Sequence, residues 1–545
     1  MSSIGKNAVR KLLSHWPYLL VIFLTTLFLT RNLWATRAWI ETHDGIYHLV
    51  RQEVFSDALK RGNFPVRWAG TLDNGFGLPL FNYIYPGPYY LGAPLSLLGV
   101  NSRWVIKFVE IALYFLGGLG MYFLFAKKHK LYAAVTSILY LTTPYLMLDI
   151  FIRGALGEIM AISCIPWILL VLNDLKISRI LRWYHPLPYF LMFIAHNFLS
   201  FLFLPIYLII IAYKFRDIWG IILKSFLLSL GLATFFILPM LVEQKYLYSL
   251  AISNFTYNYS NHFVYPIQLL FGKWGNGFSY PGVNDGFSVA LGITSLVILG
   301  AGLVAGIRKR NQDLLIWLVL TGLIIYFLLP ISAFFWRLLT PLQLMQFPWR
   351  LLSFTTITVP IVAFYLLMSF KRAKRLKIII ATLLLISLYF GYRYSTPFYF
   401  QNNEQVSQQL YLDRNRTTTS SRLEILPKWG SVETRYIGEE NIRVAHGSAE
   451  ISDQILAPEK LIFTANTKDA GVIFRIRRNY FPAWHVKDES GKSYLTRVTD
   501  DGLIDFTGSA GLHTYSVYVG STGVELLANW ISLLTILLLA IIVKL

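Results

Sequence analysis

The chain has 545 residues, 55% of them hydrophobic and 14% charged, with a formal net charge of +20 and a mean hydropathy of +0.51. A soluble globule has nowhere to bury so much apolar surface, so the composition points to a polytopic membrane protein. The Lys and Arg residues fall mainly in short loops between apolar runs, which assigns the charge to membrane orientation and anionic headgroups and leaves no case for nucleic acid. Cys164, the single cysteine, lies in an apolar run and has no partner for an internal disulfide.

A bilayer-crossing helix needs roughly 20 residues. That ruler predicts spans near 17–38, 103–126, 131–149, 157–173, 217–242, 287–306, 313–332, 348–369, 376–393 and 524–543. No small-residue cleavage site follows the first run, which therefore reads as an uncleaved span. Residues 79–100 are apolar but carry Pro79, Pro86, Gly87, Pro88, Gly92 and Pro94. They predict a broken, re-entrant or interfacial segment rather than a crossing. Residues 186–213 predict two short helices meeting near His196 and Asn197. The total is about twelve spans. Basic clusters at Lys6, Arg10 and Lys11, at Lys127 to Lys130, at Lys176 to Arg182, at Arg308 to Arg310 and at Lys371 to Lys377 place both ends in the cytoplasm.

Residues 41–101 then form a large external loop. Leu49, Val50, Val54, Phe55, Ala58 and Leu59 recur with helical period, with Arg51, Asp57, Lys60 and Arg61 on the polar side. That pattern predicts a helix lying in the membrane interface. Residues 243–286 form a second external loop rich in Tyr, Asn and Gly. From 396 to 523 charges and turn residues return, and stretches such as 461–465 and 514–519 read as strands. The expected organisation is a helical transmembrane domain over 1–395, an external β-sandwich-like module over 396–523, and a last span over 524–545.

Ionisable residues are costly near a bilayer, so those gathered on one side are functional candidates. His43, Asp44, His48 and Arg51 crowd the start of the first loop, and Asp73, Asn74 and Asn82 follow. Arg153 and Glu158, His196 and Asn197, Glu243, Lys273 and Asp285, and Trp349 and Arg350 map to the same side. Transfer from a phosphate-linked sugar needs a carboxylate to take a proton from the acceptor, or to hold a metal, and cations to neutralise the leaving phosphate. Asp44 fits the first role. Arg350 fits the second, assisted by Arg153 or Arg51. His43 and His48 would tune Asp44 or ligate a metal, and Glu158, His196, Asn197, Asn82 and Trp349 would line the substrate cavity. Plainer roles compete. Asp44 is a preferred helix cap, Arg153 with Glu158 suits a structural ion pair, His196 and Asn197 suit a helix turn, and Trp349 with Arg350 suits an interfacial anchor. Asn254, Asn258 and Asn415 begin glycosylation-acceptor triplets.

His43-Asp44-Gly45 with His48, Pro65-Val66-Arg67-Trp68, the run from Asn74 to Phe81, and Tyr85 to Tyr90 resemble the bacterial membrane family labelled pyruvoyl-tetrahydropterin-synthase-related. The arrangement is similar to the GT-C superfamily of integral-membrane glycosyltransferases. Arg153 to Glu158, Gln346 to Arg350 and Tyr480 to His485 extend the likeness. The resemblance implies a polyprenyl-phosphate-linked sugar donor and a saccharide, lipid or protein acceptor. It further implies a plasma-membrane location with the site outside, Asp44 in the catalytic position, and Arg350 at the donor phosphate. Asp44 has no adjacent acid, unlike members with paired acids, which argues against a required metal; magnesium or manganese at Asp44 is the one cofactor candidate. A lipid-linked saccharide transporter and a non-catalytic assembly protein for cell-surface polysaccharide are the alternatives.

Overall fold

In lipid a backbone can satisfy its own polar groups only as a helix or a closed barrel. The computed structural model describes residues 14–248, 258–343, 345–370, 373–414, 425–430 and 440–544, and most of them are helical. Six helices among them are long and apolar enough to cross a membrane: Ser102–Ala126, Leu156–Ser178, Asn197–Lys214, Arg216–Tyr246, Pro348–Met368 and Gly523–Ile542. Two bent pairs bring the number to as many as eight. Lys130–Leu141 and Pro144–Arg153 meet at 45°, and Gln312–Leu328 and Pro330–Leu338 at 85°. Each break precedes a proline, which has no N–H for the helical ladder and disfavours helical geometry in the residue before it.

Several expected boundaries shift. The first apolar run is helical only over Trp16–Leu29, followed by a single turn at Arg31–Trp34. The segment 79–100 is broken as its prolines demand, into Leu80–Tyr83 and Gly87–Leu97. Leu187–Ala195 and Asn197–Lys214 do meet at His196, but the nine residues of the first fall well short of a crossing. The helix Gly45–Lys60 forms as its periodicity predicts. It is not the half-exposed surface helix expected, because Arg51, Gln52 and Ser56 are buried along with the apolar face. Lys6, Arg10, Lys11, Lys371 and the triplets beginning at Asn254 and Asn415 lie outside the described residues.

The chain divides into two compact units. The first comprises Met1–Ile46, Arg103–Ser229 and Asn254–Val406, and the second Tyr47–Ser102, Leu230–Ser253 and Ser407–Leu545. In the first unit β1 (Trp39–Ile40) pairs antiparallel with β2 (Phe400–Gln401).

The second unit holds β3 (Ile442–His446), β4 (Ala449–Ala457), β5 (Lys460–Thr467), β6 (Ile473–Ile476), β7 (Trp484–Lys487), β8 (Ser493–Tyr494), β9 (Thr496–Val498), β10 (Ile504–Thr507) and β11 (Gly511–Val519). They form two antiparallel sheets, ordered β3-β6-β10-β9 and β4-β5-β11-β7-β8. Alternate residues such as Leu461, Phe463 and Ala465 of β5 turn inward, and both sheets contribute to one buried core. Trp68 sits in that core too, its ring edge-on to Trp484 at 5.5 Å. The Asn479 side-chain amide donates to Asp73 Oδ2 at 3.0 Å and to the Gly77 carbonyl at 2.6 Å. Arg61 forks onto Glu459 with two contacts of 2.6 Å. Three anchors therefore fasten the 47–102 segment to the strands. The compact unit consequently cuts across the expected boundaries, which kept 41–101 with the helices.

The last helix carries Glu525, Asn529 and Ser532 on one face. Asn82 donates to Glu525 Oε1 at 2.6 Å, and Arg67 Nη2 donates to Asn529 Oδ1 at 2.8 Å. Ser532 Oγ accepts from the Phe235 N–H at 2.9 Å. Glu525 and Thr522 cap the helix reciprocally.

Trp68→Ala should destabilise the second unit by about 3–5 kcal/mol, since it empties a large site in a closed core. Replacing Leu495, which is 76% exposed, by Ala should change nothing measurable. Thermal unfolding of the two variants in the same detergent checks the contrast.

Candidate functional site

Asp44 lies at the start of the helix Gly45–Lys60, where amide N–H groups have no intrahelical acceptor. The side chain that meets them is Thr42, whose Oγ1 accepts from the Gly45 N–H at 3.2 Å. The capping role foreseen for Asp44 thus falls to Thr42. Asp44 itself is half-buried, and among the described residues none makes a hydrogen bond or ion pair with its carboxylate. Its own N–H donates to the Arg153 carbonyl at 2.8 Å, and the His43 N–H donates to the Ile152 carbonyl at 3.0 Å.

Those two carbonyls end a π-helical turn, Asp149–Arg153, closed by Gly154 in the left-handed region at φ 61°. The turn is packed with charge. Arg153 Nη1 donates to Asp149 Oδ1 at 2.5 Å and to Glu158 Oε2 at 2.8 Å, and Nη2 donates to Glu158 Oε1 at 2.8 Å. The Tyr145 hydroxyl donates to Glu158 Oε2 at 2.9 Å. Asp149, Arg153 and Glu158 are all buried. Arg153 and Glu158 form an ion pair, and both terminal nitrogens of Arg153 are engaged.

Arg350 completes the cluster from the turn Pro348–Leu351. Its Nε lies 3.1 Å from Glu158 Oε1 without the alignment of a hydrogen bond. Nη1 donates to the Met345 carbonyl at 3.0 Å. No described residue takes a hydrogen bond from Nη2, and the side chain keeps 15% of its exposure. Two carboxylates and two guanidiniums are thereby matched, with one donor edge left over on Arg350. Trp349 is buried under the Arg153 guanidinium, 4.7 Å from its ring centre, and its Nε1 donates to Ser279 Oγ at 3.2 Å. His196 Nε2 is 3.8 Å from Glu158 Oε1, while its Nδ1 accepts the Leu199 N–H. His196 thus stands at a helix start with its other ring nitrogen toward Glu158.

His43 stacks on Phe278 with ring centres 5.2 Å apart and leans on Phe287. Its Nε2 lies 3.3 Å from the Asn276 carbonyl, which can only accept, so that nitrogen carries the proton and Nδ1 keeps a lone pair. Burial holds the imidazole below its usual range, with help from Arg153 and against the Asn276 carbonyl and Asp44. A neutral histidine thus sits beside a free carboxylate.

His48, Arg51 and Asn82 belong to the second unit. His48 is buried against the Tyr89 hydroxyl at 2.8 Å, and burial pushes it well below the ordinary histidine range, with Arg51 adding to the effect. Arg51 is itself buried, and Asn82 is held between Arg67 and Glu525. All three side chains are buried in that unit's interior. Asp149, Tyr145 and Phe278 join the site without standing out among the candidates in the sequence. The signal for Asp149 was an acid four residues before Arg153 inside an apolar run. Among the described residues no three His, Cys, Asp or Glu side chains come together as metal ligands. A small cleft in the first unit is lined by Thr142, Thr143, Pro144, Ile298, Pro360 and Phe390; Asp44 is not part of its lining.

No protein-family model matches the chain, and no curated protein matches it. The state of His43 can be tested directly. A histidine whose folded pKa lies below its unfolded value binds fewer protons when folded, so stability rises with pH and is lost as pH falls through the histidine range. His43→Gln should flatten the part of that dependence between about pH 5 and 7. Melting temperatures recorded across this range for both proteins provide the check.

Proposed function

We propose that the chain is a polytopic membrane glycosyltransferase of the GT-C type. It takes a sugar from a polyprenyl-phosphate carrier and passes it to an acceptor on the outer face of the plasma membrane. The finer topology of this reading has about twelve spans, both ends cytoplasmic, and a β-sandwich-like module outside. An acceptor hydroxyl oxygen attacks the anomeric carbon as the bond to the phosphate oxygen breaks. Asp44 takes the hydroxyl proton, the carrier phosphate leaves with the bonding pair, and the anomeric centre inverts. Arg350 offers its free donor edge to the departing phosphate. Arg153, whose buried terminal nitrogens are held by Asp149 and Glu158, drops out of that part. If a divalent ion is used, Asp44 and Nδ1 of His43 are the groups at hand.

The observation that carries this reading is the Asp44 carboxylate, half-buried beside a neutral imidazole and, among the described residues, without a hydrogen bond or ion pair. Acids in such surroundings that do not serve structure are candidates for chemistry.

Asp44→Asn should lower sugar transfer by about 10²–10⁴-fold while leaving expression and melting temperature unchanged. The measurement is transfer of a labelled sugar from a synthetic polyprenyl-phosphate donor by purified protein. Near-wild-type turnover would remove Asp44 from the centre. Movement of labelled lipid across liposomes without any transfer would turn the reading to a transporter.

A further inference from the structure

We infer that Arg153, with Asp149 and Glu158, is a positioning device for Asp44 and does not contact the donor. The inference deepens the transferase reading and rests on it only where turnover is measured.

A residue that bound the donor phosphate would need accessible donors, and the Arg153 side chain keeps only 6% of its exposure. Arg153 has Nη1 on Asp149, Glu158 and the Tyr145 hydroxyl and Nη2 on Glu158. Releasing them to a ligand would leave two buried carboxylates short of a cation, which is the expensive way to disturb such a pair. What the cluster does hold is the shape of the π-turn. Asp149 anchors one end of the Arg153 side chain's contacts and Glu158, in the first turn of the next helix, anchors the other. The Asp149 carbonyl also accepts the Ala155 N–H at 2.9 Å, so the turn is clamped through side chain and main chain together.

The clamped turn presents two carbonyls outward, those of Ile152 and Arg153, and these take the N–H groups of His43 and Asp44. The same contact is closed by Gly154. A Cβ at that position would run into Thr42 Oγ1 and come within 3.0 Å of the Gly45 nitrogen, and φ is 61°. Only glycine lets the turn seat against Thr42–Gly45 so closely. The guanidinium thus acts on Asp44 through its own main-chain carbonyl. Catalysis depends on such placement, and a displacement of about 1 Å can cost about 100-fold in rate.

Three variants separate placement from donor binding. Gly154→Ala changes no charge, Arg153→Met removes the clamp, and Arg350→Ala removes the free donor edge. Hydrogen–deuterium exchange at the His43 and Asp44 amides should speed up in the first two and clearly less in the third, where the Arg153 fork onto Glu158 remains. Affinity for a short-chain polyprenyl phosphate should fall only in Arg350→Ala. In turnover, Gly154→Ala should lower kcat by about 100-fold with donor KM within about twofold of wild type, and Arg153→Lys, which keeps the cation but not the fork, should fall between wild type and Arg153→Met. Unchanged exchange in Gly154→Ala would overturn the inference. So would a loss of polyprenyl-phosphate affinity in Arg153→Met as large as in Arg350→Ala. If Arg153→Met does not fold, Gly154→Ala alone decides. If the wild type transfers no sugar, the transferase reading falls, and the exchange comparison still decides the role of Arg153.

Discussion

The forked contact between Arg153 and Glu158 is the constraint on which the first unit depends. Burying an ion without a partner costs several kcal/mol even after relaxation, and breaking a buried pair by removing one side costs about 3–5 kcal/mol. An apolar bundle that contains Asp149, Arg153, Glu158 and Arg350 must therefore keep them together, and the segments that carry them come together as a consequence. The π-turn, the start of Leu156–Ser178 and the turn Pro348–Leu351 meet around these charges. The aromatic lid of Trp349 then shields the guanidinium from water and strengthens every contact beneath it.

This arrangement separates two kinds of polar residue that look alike along the chain. Arg153 and Arg350 are both arginines near the ends of apolar runs. Arg153 is surrounded by acids and closed off, whereas Arg350 shares one acid and retains a donor edge. His43 and His48 are five positions apart in the same short stretch. His43 stands at an aromatic wall with one ring nitrogen open, and His48 is sealed against a tyrosine.

Hydropathy and proline placement made the helical part of the fold legible. The long spans, the break within 79–100 and the helix starting at Gly45 all follow from apolar run length, period and missing N–H groups. The bends at Pro144 and Pro330 were written in the same residues, but run length alone merged each pair into one segment. At the site, Asp44 was legible as an acid at the end of a span, and Arg153 with Glu158 as neighbours five residues apart. What could not be read was which charges meet across the chain. Arg350 reaches Glu158 from nearly two hundred positions away, and no local pattern encodes that. The burial of the Gly45–Lys60 helix was hidden for the same reason: its partners, such as Ser96 for Gln52, lie on other elements.

The place of Trp68 carries a consequence for how the chain is built. Its ring is housed by residues from Ile442 to Val517, and its neighbour Arg67 is held by Asn529 in the last helix. Synthesis runs from the N-terminus, so the early segment leaves the ribosome long before its housing exists and must wait, incomplete, until almost the whole protein has been made. A frameshift or nonsense codon late in the reading frame would therefore strike the first loop as surely as the domain it deletes.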